Sequence, residues 1–172
     1  MNYSDLSPVE QEKREVRTLA EHPQEAQDFI DSTHNFNGAS MNLKSMKMPQ
    51  PGDKMFIVGG ETSKNTGKRV DTEYVDQGSS SPRLEPRQFA KHFNRLKMEA
   101  GDPKAMMGSW IDTKSKKNTR KGVQIDMSTG HINRKPAEDK MLERGEDAIW
   151  NMGSMRNIRN EAVRKRRGTG PR

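Results

Sequence analysis

Apolar side chains recur along the chain in short, separate stripes rather than in one dominant pattern. Ser7-Pro8-Val9-Glu10 is a capping box with proline at the first helical position. The helix it opens puts Val9, Val16 and Leu19 on one side, a narrow stripe suited to lying on another surface. His22-Pro23 interrupts it, and a second helix from Pro23 aligns Ala26, Phe29 and Ile30. Residues 38–53, with Pro49, Pro51 and scattered Met41, Met46 and Met48, read as an extended linker. Lys54 to Val58 and Arg69 to Val75 have strand patterns, and the polar run Glu61 to Lys68 between them predicts a hairpin.

The strongest helical signal follows Pro86. Phe89, Phe93, Leu96 and Ala100 recur at i, i+4, i+7 and i+11, and Gly101 stands where the helix should end. A short helix through Ala105, Met106 and Met107 is expected next, then strands at Trp110-Ile111 and Val123 to Met127. From Pro136 a longer helix is expected to carry Met141, Leu142, Ala148, Ile149 and Met152 on one face, tolerating Gly145 inside. Ser154 would cap a last helix through Ile158, Ala162 and Val163.

Composition decides how these pieces should relate. Leu, Ile, Val and Phe number 25 in 172 residues, about 15% of the chain, below the roughly 20% at which disorder becomes the default. The expected fold is therefore mostly irregular and extended, with short α-helices, one or two small β-hairpins and no single large core. Four segments follow: an acidic helical segment over 1–37, a linker with a small hairpin over 38–82, a basic helix and hairpin over 83–135, and a C-terminal helix with a basic tail over 136–172. The isolated chain should be well above the roughly 16 Å radius of gyration of a compact domain of this length.

Cysteine is absent, which removes disulfides, thiolate metal sites and cysteine nucleophiles. No apolar run approaches a membrane span, and Met1-Asn2-Tyr3-Ser4-Asp5 has neither a basic nor an apolar signal region. The four histidines, His22, His34, His92 and His131, never reach metal-helix spacing. Gly60 to Arg69 faintly resembles a phosphate loop, but six residues separate its glycines and Arg69 stands where Ser or Thr is needed, so a turn is the better reading. Met41, Met46 and Met48 offer thioethers to copper(I), yet the other methionines spread along the chain as adaptable packing would. No catalytic residue, cofactor or metal is expected.

Charge is sorted along the chain. Residues 1–31 carry net −5, residues 82–121 net +7, and residues 156–172 net +6. Lys114, Lys116, Lys117, Arg120 and Lys121 fall within eight residues with no acid among them, and Arg164, Lys165, Arg166 and Arg167 form a second block. The composition favours a non-catalytic structural protein that threads across and cements subunits of a large assembly, a minor capsid or virion component being the first choice. Its anchors would be Phe89, Phe93, Leu96, Trp110, Ile149, Trp150 and Met152, because stripes too small to close a core need a partner's surface. The basic residues would make the electrostatic contacts. The alternative is a nucleic-acid-binding protein, a packaging factor or ribonucleoprotein subunit. If both basic blocks met a duplex, about eight to ten phosphate contacts would make affinity steeply salt-dependent.

Overall fold

The computed structural model describes residues 1–111 and 122–161, and those residues enclose a core. In chain order they form α1 (Pro8–Glu21), α2 (Pro23–Phe36), β1 (Gly38–Asn42), β2 (Phe56–Val58), β3 (Glu73–Val75), α3 (Pro86–Glu99), β4 (Ala105–Ile111), β5 (Val123–His131), α4 (Arg134–Arg144), β6 (Ala148–Asn151) and β7 (Arg156–Arg159). The strands make one antiparallel sheet in the order β1-β4-β5-β2-β6-β7, with β3 also on β5. The expectation of a mostly irregular, extended chain with only one or two hairpins is thereby corrected.

The physical reason lies in the methionines. Met41, Met106, Met107, Met127, Met141 and Met152 are all buried, so half of the 12 methionines do the work that Leu and Ile do in a richer core. Their unbranched thioethers fill irregular gaps, and a count restricted to Leu, Ile, Val and Phe overlooks them. The main core joins Phe29 and Ile30 of α2, Phe89, Phe93 and Leu96 of α3, and Met107, Val123, Ile125 and Met127 of the sheet. Phe89 sits between Phe29 and Phe93, with ring centroids 5.4 and 5.8 Å away. A smaller cluster holds α4 to the sheet through Ala137, Met141, Val58 and Ile149.

β5 organises the sheet. Side chains alternate across a strand, so Val123, Ile125, Met127 and Thr129 share one face, and paired residues on neighbouring strands share it with them. Met41, Met107 and Val58 lie on that face by register. Among the described residues, α2, α3 and α4 all cover it, and α1 rides on α3. The opposite face carries no described helix.

β2 and β3 do not form the expected hairpin. Each pairs with β5, β2 at His131 to Thr129 and β3 at Ile125 to Val123. Between them the Glu61 amide donates to the Met127 carbonyl at 3.1 Å. The two are therefore halves of one interrupted strand, and 62–69 is a side turn closed by a Thr62–Arg69 bridge. The turn reading of Gly60 to Arg69 agrees with this.

Other local expectations need correcting. Residues 38–42 are a strand rather than linker, and Ala105 to Met107 open β4 rather than a helix. Gly145, at φ +66°, ends α4 instead of lying within it. Its amide reaches the Leu142 carbonyl and the Glu146 amide reaches the Met141 carbonyl, the paired bonds of a Schellman end. The chain then turns back as β6 and β7 where helix was expected. On α1, Val9 and Val16 are exposed while Leu19, the third residue of the expected stripe, packs partly buried on the main core beside the buried Glu15 and Thr18. Tyr3 Oη and Arg87 Nη2 both donate to the Glu15 carboxylate, and Asn94 Nδ2 donates to Thr18 Oγ1, so α1 docks through polar pairs.

Candidate nucleic-acid interface

The helix-free face of the sheet carries a row of side chains fixed by register. Gly38 of β1 pairs with Trp110 of β4, Trp110 with Gln124 of β5, and Gln124 with Tyr74 of β3. Directly opposed residues in antiparallel pairs stand about 4.5–5.5 Å apart. The row therefore places two aromatic rings on either side of one amide. Gln124 and Tyr74 are partly exposed, and Trp110 is 49% exposed, unusual for a large aromatic in the middle of a sheet. Its ring leans over Gly38, with Cε3 3.3 Å from where a Cβ on that glycine would lie. A Cβ there would first meet the Ser109 carbonyl at 2.9 Å, so the neighbouring strand's backbone as well as the indole favours glycine at that position.

Two residues further along β5 the chemistry changes. Asp126 Oδ1 lies over Gly108, 2.4 Å from a would-be Cβ there. Burial pushes the Asp126 carboxyl up, Glu146 adds to that, and Arg69 opposes it. Arg69 Nη1 pairs with Glu146 Oε1 at 2.7 Å. Beyond Asp126 the face becomes apolar. Ile57, Met106 and Met152 cluster there with Met55 and Trp150, whose Nε1 donates to Met152 Sδ at 3.0 Å.

The strand interruption is held from the covered side. Arg144 Nη1 donates to the carbonyls of Val58 and Gly59, each at 3.1 Å, and to Thr129 Oγ1 at 3.0 Å. Its Nη2 pairs with Glu61 Oε2 at 3.1 Å, both side chains 9% exposed. The guanidinium supplies donors that the broken ladder leaves missing, so this network positions backbone.

The seven predicted anchors divide sharply. Phe89, Phe93 and Leu96 are in the main core, Ile149 is fully buried under α4, and Met152 is buried with Trp150 partly covering it. Trp110 alone presents a large exposed face. Neither Tyr74 nor Gln124 is a predicted site residue: the alternation of Val70, Thr72 and Tyr74 marks only a strand, and that of Val123, Ile125 and Met127 only that Gln124 faces the other way. Lys114, Lys116, Lys117, Arg120 and Lys121, and Arg164, Lys165, Arg166 and Arg167, lie outside the described residues.

In sequence the first basic block falls between Ile111, next to Trp110, and Val123, next to Gln124. The return is tightly set. Gly122 has φ +79°, and a Cβ there would meet the Val75 carbonyl at 2.2 Å, so the backbone of 75–77 crowds the point where the basic segment re-enters the sheet.

The histidines have structural surroundings. His34 Nε2 accepts from the Leu84 amide, and His131 Nε2 shares a hydrogen bond with Thr129 Oγ1. His92 is held down to about 3, first by burial and then by Arg95. Its Nδ1 accepts from Arg95 Nε, so the ring is neutral and its 3.3 Å approach to Glu73 is not an ion pair. Among the described residues no group of three His, Cys, Asp or Glu could hold a metal, and no helix is long and apolar enough to cross a membrane. Compared with protein-family models, with curated proteins and with solved structures, the chain matches none.

Proposed function

We propose that this protein is a non-catalytic nucleic-acid-binding module. The observation that carries the reading is Trp110, 49% exposed on the face without a described helix, one residue before the end of β4, where the sequence continues into a block with five cations in eight residues before β5 begins. Backbone phosphates supply the counter-charge for such a block, and an uncovered sheet face supplies the contact area. The second basic block, Arg164 to Arg167, adds a further phosphate contact. The chain's net charge of +7 acts in the same direction.

A structural protein of a virion or other large assembly is the second reading, and a genome-associated packaging component would satisfy both. The argument for a threading cement rested on stripes that could not close a core, and that ground is gone. Trp110 and the basic blocks remain available for a neighbouring subunit. Nucleic acid is preferred because the basic block carries no interleaved acid, the pattern a polyphosphate meets best.

A salt titration tests the reading. Affinity for a labelled 20-nucleotide strand should fall steeply between 50 and 200 mM salt, with a log–log slope near −0.7 per phosphate contacted. Changing Lys114, Lys116, Lys117, Arg120 and Lys121 to Gln should reduce that slope by up to about 3.5 units, one phosphate contact for each cation. No binding to any single strand or duplex at 50 mM salt removes the proposal.

A further inference from the structure

Resting on that reading, we infer that the ligand is single-stranded, and that two of its bases stack on Trp110 and Tyr74 with Gln124 between them. The argument starts from geometry among the described residues. Trp110, Gln124 and Tyr74 lie directly across three neighbouring strands. At about 4.5–5.5 Å per step, the two aromatic residues are separated by roughly 10 Å. Consecutive bases of an extended strand can be splayed over such a distance. Paired bases in a duplex cannot, because their faces are already stacked on one another.

Three further features fit a single strand. Every base has a π face, so the exposed Trp110 and the partly exposed Tyr74 can bind without demanding a sequence. Gln124 brings one donor group and one acceptor to the gap between the rings, where the edge of an unpaired base would lie. One edge of the indole, at Cε3, approaches Gly38, and Trp110 remains 49% exposed, which leaves ring surface open to a stacking partner. The basic block that follows Trp110 in sequence would supply the phosphate partners.

The limits of the row also matter. Asp126 lies two residues from Gln124 on the same face, folded down over Gly108, and the apolar cluster of Ile57, Met106 and Met152 follows it, so among the described residues no further ring and amide continue the row. The footprint is therefore short, two bases at the β1–β4–β5–β3 end of the sheet.

Fluorescence anisotropy on the full-length protein decides the matter, using labelled dT20, rU20 and a 20-base-pair duplex at 50 mM salt. Trp110→Ala should weaken dT20 and rU20 binding about tenfold or more and leave the duplex nearly unchanged, while Trp110→Phe should recover most of the loss. Tyr74→Ala should act in the same direction and Tyr74→Phe should be near wild type. Circular dichroism melts identify any variant that has lost the fold, and the two Phe variants keep the test valid if an Ala variant fails. Equal affinity for strand and duplex, with neither affected by Trp110→Ala but both lost when the five cations become Gln, overturns the stacking inference and leaves the binding role standing. Absence of binding to all three probes removes both.

Discussion

The two faces of β5 show opposite solutions to the same problem. On one, Val123, Ile125 and Met127 are no more than 1% exposed and meet a layer of helices. On the other, Gln124 and Asp126 keep partial exposure, and Trp110 beside them stays half open. A single strand thus carries both the stability of the domain and its available surface, one residue apart. Apolar pairs across the covered face need nothing but volume. Around Gln124 the open face is instead built from glycines, an amide, a carboxylate and two aromatic rings, and only beyond Asp126 does it close over a small apolar cluster. A mutational scan along the strand should therefore alternate between losses of stability and losses of binding.

The largest effect belongs to the covered face. Phe89→Ala should cost about 3–5 kcal/mol, because Phe89 is fully buried between Phe29 and Phe93 and the cavity cannot collapse between two rings. Trp110→Ala should cost under about 1 kcal/mol. Urea denaturation of the two variants measures the contrast, and equal losses would break it. Next comes the ion pair at the strand interruption. Arg144→Met leaves Glu61 buried without its partner and should destabilise by about 3 kcal/mol. Adding Glu61→Gln to that variant should restore a good part of the loss, a double-mutant comparison that separates the burial cost from the pair's own contribution.

Much of the covered face could be read from the chain. The i, i+4, i+7 recurrence of Phe89, Phe93 and Leu96 named α3 and its buried stripe, and Ser7-Pro8-Val9-Glu10 placed the start of α1, whose capping box is present. What the stripes pack against could not be read. The core they needed is built from methionines whose flexible side chains carry no strand or helix signature, so Met106-Met107 passed as helix and Met41 as linker. Long-range pairing also hid the sheet. Met41 meets Met107 and Phe56 meets Asn151, partners that no local window contains. The candidate site suffered most, since Tyr74 and Gln124 acquire meaning only once register sets them beside Trp110. On α1 the expected face is displaced rather than lost: Leu19 packs on the main core, but Glu15 and Thr18 replace Val9 and Val16 beside it because their partners, Tyr3, Arg87 and Asn94, come from outside the helix.

A pH titration probes the covered face without altering volume. His92 is buried and neutral, with its ring held at about 3 against an ordinary value near 6.5. Below pH 6.5 the unfolded chain takes up a proton that the folded chain refuses. The contribution of this group is therefore complete above that pH and is lost as pH falls toward 3, at a slope of up to about 1.4 kcal/mol per pH unit. Between pH 6.5 and 5, where few carboxylates titrate, His92→Gln should flatten the dependence of urea midpoints on pH. An unchanged slope would mean that the ring is protonated in place.

The smallest effect sharpens the open face. Asp126 has its carboxyl pushed up by burial and by Glu146, so its charged form is disfavoured in the folded chain. The sign is opposite to that of His92. Acidification through the raised value lets the folded chain bind a proton before the unfolded one does, so the site gains stability as pH falls and penalises the fold at pH 7. Asp126→Asn removes the charge without changing the shape over Gly108. It should therefore be neutral or stabilising by up to about 1 kcal/mol at pH 7, with the advantage disappearing in acid. Destabilisation instead would mean that the carboxylate holds the sheet together there.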